Sequence, residues 1–139
     1  MKYLLDVNVL VAWGWSDHAD HDRVARWIGK VQKSGEDMLL TSAIPQLGFV
    51  RVSVQRTAGQ VSPAVAGEVL SGMLESLGRA HRFVPDDRAA FLWPRWCKAA
   101  SQTTDAHLLA LAKGHAAELA TLDQGIPGGL IIAPRRDEL

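Results

Sequence analysis

Lys2-Tyr3-Leu4-Leu5-Asp6-Val7-Asn8-Val9-Leu10-Val11-Ala12-Trp13 opens the chain, and its reading decides the fold. Tyr3-Leu4-Leu5 has the length and flanks of a short buried strand, and it breaks off abruptly at Asp6. A second apolar stretch, Val9 to Trp13, reads as the start of a helix. Asp6 therefore stands at the carboxyl end of a strand, where open α/β sheets place their ligand sites. A carboxylate in so apolar a setting is costly to bury unless it is paired or meets a cation. The competing explanation is that Asp6 only caps the helix that follows it.

Outward from this unit, strands and helices alternate. His21 to Lys33 carries Val24, Trp27, Ile28 and Val31 on one helical face and stops at Ser34-Gly35. Met38 to Thr41 reads as a second strand, with Ser42 as N-cap of a helix bearing Ile44, Leu47, Phe49, Val50 and Val54. Ser62-Pro63 opens a further helix running to about Leu77. Arg82-Phe83-Val84 is a weak third strand, and an irregular stretch follows it. Thr103-Thr104-Asp105 starts an Ala/Leu helix reaching His115. Leu119 to Leu122 and Leu130 to Ala133 complete five strands. Such alternation predicts an α/β fold of three layers, a central five-stranded parallel sheet flanked by helices, over a single domain spanning 1–139.

Composition narrows the function. Of 139 residues, 47% are hydrophobic and 22% charged, which suits a globular chain with a real core. Lys+Arg and Asp+Glu are 15 each, so bulk charge announces no polyanionic partner and any nucleic-acid site must be a local patch. The single cysteine, Cys97, excludes an internal disulfide and a cysteine-based zinc site. No apolar run approaches the ~20 residues that span a bilayer. No signal peptide is legible, and the terminal Arg136-Asp137-Glu138-Leu139 without one reads as a chance likeness to a retrieval tail. The expectation is a cytoplasmic protein with no membrane contact.

Two strand ends deliver carboxylates, Asp6 and Asp123, and a helix start delivers Asp105. The carboxyl ends of a parallel sheet share one edge, so Asp6 and Asp123 become neighbours if their strands are adjacent. Like charges repel strongly in a poorly solvated site, and a divalent cation is the usual relief. Mg²⁺ takes one or two carboxylates, keeps several waters and accepts phosphate oxygens. The pattern therefore points to metal-assisted hydrolysis of a phosphodiester. An aspartyl-phosphate phosphotransferase would need a second aspartate where Asn8 stands.

Four stretches carry a family resemblance: Leu4 to Ala12, Leu47 to Val52 (Leu-Gly-Phe-Val-Arg-Val), Thr104 to Ala112 (Thr-Asp-Ala-His-Leu-Leu-Ala-Leu-Ala) and Leu119 to Gly125 (Leu-Ala-Thr-Leu-Asp-Gln-Gly). In this order they resemble PIN-domain ribonucleases, most of all the VapC toxins of bacterial toxin–antitoxin pairs. The resemblance implies an endoribonuclease dependent on Mg²⁺ or Mn²⁺, an RNA substrate such as tRNA or ribosomal RNA, a VapB-like antitoxin and a homodimer. Asp6, Asp105 and Asp123 match the family's first, third and fourth acidic positions, and Asn8 and Thr121 match polar positions beside them.

One position departs. The family's second acid, a glutamate, is here Gln46, which offers a neutral oxygen but neither a base nor a charge. Weaker metal binding is expected, and a module that binds RNA or a protein without cutting is the alternative. Arg51, later on the same helix, could reach a phosphate or pair with an aspartate. Trp93, Arg95, Trp96 and Lys98 interleave rings and cations as single-strand RNA platforms do, or pack in the core or against a partner. Trp13 and Trp15 read as core rather than as a partner groove. Asp17-His18-Ala19-Asp20-His21-Asp22 reads as a helix start rather than a metal cluster. Asp86-Asp87 reads as helix capping, and His107 and His115 need no special role.

Overall fold

The computed structural model describes residues 1–132. Five strands form one sheet: β1 (Lys2–Leu5), β2 (Met38–Thr41), β3 (His81–Phe83), β4 (Glu118–Thr121) and β5 (Leu130–Ile131). Their order is β3-β2-β1-β4-β5, and every neighbouring pair is parallel. Five α-helices connect them: α1 (Val7–Gly14), α2 (His21–Ser34), α3 (Ala43–Arg56), α4 (Pro63–Glu75) and α5 (Thr103–Gly114). The expected three-layer α/β architecture is the one found.

Strand alternation explains the layers. Leu5, Leu39 and Ala120 face one side, where they pack with Val9 and Leu10 of α1, Val24 and Ile28 of α2, Phe49 of α3 and Leu70 of α4. Leu4, Leu40 and Leu119 face the other, against Leu108, Leu109 and Leu111 of α5. A strand buried on both faces needs apolar residues at every position, which is why Leu4-Leu5 and Leu39-Leu40 are unbroken pairs. Leu108 and Leu111 are fully buried, each stabilising the α5 layer by about 2–3 kcal/mol.

Helix α1 forms although Val7, Val9 and Val11 favour strands. Its Asp6 cap accepts the Val7 N–H, and burial of Val9, Leu10, Val11 and Ala12 outweighs the propensity cost. Ser62 caps α4 as expected, its hydroxyl accepting from the Val65 N–H. Ser42 does not cap α3: it occupies the N-cap position but donates its hydroxyl to the Val84 carbonyl at 2.6 Å. That bond ties the start of α3 to the end of β3.

Boundaries move by a few residues. The α4 helix ends at Glu75 rather than Leu77, and a 3₁₀ turn, Gly78–Ala80, leads into β3. The third and fourth strands begin one residue early, and Ala133 of the expected fifth strand lies outside the described residues, as does the terminal Arg-Asp-Glu-Leu. The segment 17–22 leads into α2, and several of its polar side chains find partners within the protein. Asp17 pairs with Arg56, Asp20 with Arg23, and the His18 ring accepts the Asp20 N–H. Trp15 donates to Ser53 under the Arg56 guanidinium, so it serves packing. Among the described residues, no helix is long and apolar enough to cross a membrane.

Candidate active site

Pairing of β1 with β4 brings the ends of the two strands together. Asp6 is 4% exposed, and each of its oxygens has a donor: the Val7 N–H on Oδ1 and the Thr121 hydroxyl on Oδ2, both at 2.7 Å. It is thus both the cap of α1 and a buried carboxylate. Thr121, fully buried, also accepts the Asp123 N–H at 3.0 Å and Asn8 Nδ2 at 3.4 Å. Asn8 returns its oxygen to the Leu122 N–H at 3.2 Å. One hydroxyl and one amide therefore lock the start of α1 to the end of β4. Asp123 lies just beyond, exposed, with Oδ1 accepting the Gly125 N–H at 2.7 Å in a tight turn.

Asp105 reaches the same edge from the first turn of α5. A helix N-terminus favours an anion, yet its carboxyl is pushed up to about 6, first by burial and then by the charges of Asp6 and Asp123. Asp6 is likewise raised, chiefly by burial, against the lowering pull of Thr121 and Val7. Three carboxylates thus crowd one edge with more negative charge than the surroundings offset. The donor set is all hard oxygen, which suits Mg²⁺ or Mn²⁺ rather than a soft metal. Among the described residues, no three His, Cys, Asp or Glu side chains close into a cage. A cation that keeps several waters, as Mg²⁺ does, fits an open arrangement of this kind.

This crowding has a pH signature. In the folded chain Asp105 keeps its proton up to about 6, whereas unfolded it releases it near 3.8. Between those values the native state holds more protons, so its stability falls as pH rises, and the cost is complete above about 6. Asp105→Asn should therefore melt at a higher temperature than the metal-free parent at about pH 7, and show no gain near pH 4. An equal difference at both pH values would contradict the crowding.

Gln46 meets the end of β2, the strand beside β1. Its Nε2 donates to Thr41 Oγ1 at 3.0 Å, and Thr41 in turn meets His81 Nε2 at 2.7 Å. It lines a groove of about 780 Å³ between α3, α4 and β3, and none of the three aspartates is among that groove's walls. Burial lowers His81, so its ring is neutral at pH 7. Arg51 is exposed on α3 and pairs with none of the aspartates among the described residues.

Two expectations fail beside the site. Asp86 caps no helix: its Oδ2 meets His107 Nε2 at 2.7 Å, and its Oδ1 accepts the Arg88 N–H. His107 accordingly has a role after all, as the anchor on α5 for the loop after β3. Of the interleaved stretch, Trp96 packs against the α5-side core while Trp93 stays 42% exposed. The neighbouring Phe91 and Leu92 were missed by a reading based on alternating rings and cations, because nothing periodic marks them.

The family model of the PIN domain matches residues 3–127. The chain is similar to Ribonuclease VapC39 of Mycobacterium tuberculosis, 36% identical over 132 residues, with 91% of each protein covered. It is 38% identical over 138 residues to Ribonuclease VapC44 of the same organism, with 91% of this chain and 89% of that protein covered. Ribonuclease VapC38 matches at 36% over 135 residues, with 88% and 86% covered.

Proposed function

We propose, from the premise that this chain belongs to the PIN-domain family and to its VapC-type ribonucleases, that it is a metal-dependent endoribonuclease. It acts as the toxin of a toxin–antitoxin pair, cuts structured RNA such as tRNA or ribosomal RNA, and is restrained by a VapB-like antitoxin. The observation that carries this reading is the convergence of Asp6, Asp105 and Asp123, seen in the raised carboxyl of Asp105. Asp6 and Asp105, aided by Asp123, would hold Mg²⁺ or Mn²⁺. When bound, such an ion neutralises charge developing on the phosphodiester and makes a water more acidic.

The chain's own residues supply the positioning. Thr121 and Asn8 fix the rotamer of Asp6 and the approach of α1 to β4. A carboxylate held by two donors costs no reorganisation at the moment of reaction. Arg51, unpaired among the described residues, is available to a phosphate on the α3 side. Gln46 leaves the site one negative charge short, which supports one ion rather than two. The chain works as a homodimer.

The test is cleavage of a mixed tRNA and ribosomal RNA pool with Mg²⁺, with Mn²⁺ and with EDTA. Cuts should require the metal. Gln46→Glu should lower the Mg²⁺ concentration needed for half-maximal rate, because a charge is restored one strand away from Asp6. The Thr41 hydroxyl can turn to donate to the new carboxylate, and the His81 ring can switch tautomer to donate in its place. A parent that cuts equally in EDTA overturns the metal assignment. Silence from the parent and from Gln46→Glu alike favours a non-cutting RNA or protein module.

A further inference from the structure

The loop between β3 and α5 carries the most exposed apolar run on the described surface. Phe91 is 87% exposed, Leu92 93% and Trp93 42%. This is not a slack tip, because the loop is clamped along α5 at two points. The Asp86–His107 contact, 2.7 Å and largely buried, fixes its start. Further on, the Arg88 guanidinium lies over Gly114, the last residue of α5, where a side-chain carbon would collide with it. A cation at a helix C-terminus is favoured by the helix dipole. Between clamp and tip lies a cavity of about 460 Å³ whose walls include Phe91, Leu92, Trp93, Asp87, Ala106 and His107. That size is within the range of small-ligand pockets.

We propose that this pocket is a nucleobase subsite: it takes one unpaired base of the RNA whose phosphate is cut at the aspartates. The inference rests on the nuclease reading and deepens it. Position is the first argument. Ala106 and His107 line the pocket and directly follow Asp105, with consecutive Cα atoms ~3.8 Å apart. A base seated there belongs to a nucleotide next to the scissile phosphate or close to it. Chemistry is the second. Phe91 and Trp93 offer rings for stacking, Asp87 an acceptor for base N–H groups, and exposed Arg95 and Lys98 stand in the same loop for the backbone. Neither Arg95 nor Lys98 has a carboxylate partner among the described residues.

Area is the third argument, and it weighs against a second copy of the chain. Aromatic side chains bury about 150–250 Å² each. The two rings supply about 300–500 Å², short of the ~800 Å² per partner of a standard protein interface. A single planar base needs no more than the rings provide. Clamping also lowers the entropy lost on binding, since the loop is already ordered.

The test measures binding of a fluorescein-labelled random-sequence 12-mer RNA, single-stranded and as a duplex, in EDTA, together with KM for cleavage of the RNA pool in Mg²⁺. Phe91→Ala and Trp93→Ala should each weaken single-strand binding about tenfold and raise KM, with little change in duplex binding. Phe91→Tyr should bind as the parent does. Leu92→Ala removes pocket wall but no ring, so it should weaken single-strand binding less than either ring variant. Sedimentation of every variant runs beside these assays. If the parent cuts RNA and the ring variants keep its KM, the subsite is wrong while the nuclease reading stands. If Leu92→Ala and Phe91→Ala instead dissociate a dimer with RNA binding unaltered, the tip is a self-association surface. A parent that neither binds nor cuts RNA overturns both.

Discussion

Asp6→Asn is expected to cut RNA on the order of 10²–10³-fold more slowly than the parent while unfolding at nearly the same temperature. The loss follows from position. Asp6 sits at the junction of β1 and α1 with both oxygens oriented, and its charge is felt by Asp105. Asparagine removes that charge and one oxygen from the donor set at the centre of the group. The fold should survive, because the Val7 N–H still finds the asparagine oxygen. Thr121 must then turn its hydroxyl away and meet the new NH₂ as an acceptor, although Asn8 and the Asp123 N–H already occupy that oxygen. The strain costs about 1 kcal/mol, and relief of repulsion with Asp105 and Asp123 offsets it. Thermal melting and cleavage of the RNA pool, run in parallel, decide the matter. A variant that cuts at the parental rate would remove Asp6 from the chemistry. A variant that fails to fold would show that capping is its dominant role.

The layered fold was legible because parallel strands buried on both faces spell themselves as unbroken apolar runs. Leu4-Leu5, Leu39-Leu40 and Leu119-Ala120 are such runs, and each is fully or almost fully buried. The ends of elements were less legible, since side chains from distant parts of the chain set them. Leu122 looks like the end of β4, but its N–H goes to the Asn8 side chain, so the strand closes at Thr121. Ser42 has the composition of a cap, but the Val84 carbonyl attracts its hydroxyl across the sheet edge. Both competitors lie tens of residues away, where local pattern has no view.

The site was legible in its charges and illegible in its wiring. Carboxylates at two strand ends and one helix start converge by topology, so Asp6, Asp105 and Asp123 stand out in the sequence alone. Thr121 and Asn8 entered only through resemblance, and their exchange of hydrogen bonds across more than a hundred residues follows from the β1–β4 pairing. The Asp86–His107 contact had no local signal either, because an acidic pair after a proline reads as a helix cap and a histidine on an Ala/Leu helix reads as filler. Phe91 and Leu92 illustrate the opposite limit: burial can be inferred from periodicity, but an apolar residue held out in solvent breaks no pattern.

Gly48→Ala should destabilise the protein by about 1–3 kcal/mol, the cost of overpacking a close contact, and lower its melting temperature by roughly 4–12 °C. A Cβ at position 48 would come within 2.5 Å of Val7 Cγ2 and 2.8 Å of Val7 Cγ1. Gly48 is buried in the middle of α3, and Val7 is the first residue of α1, so the two helices cross with no room for a methyl group. Neither atom is the far end of a flexible chain, so the backbones must separate. That movement reaches the site, because Val7 donates its N–H to Asp6 and precedes Asn8. Cleavage should therefore fall along with stability, even though Gly48 touches no substrate. Val7→Ala in the same chain removes both crowding methyl groups, so the double variant should recover most of the lost melting temperature and activity. Such coupling between contacting positions separates a packing clash from a loss of helix propensity, since propensity predicts that alanine stabilises a helix over glycine. If Gly48→Ala melted at or above the parental temperature, the tight α1–α3 crossing would be wrong, and with it the account of how α1 is held against β4.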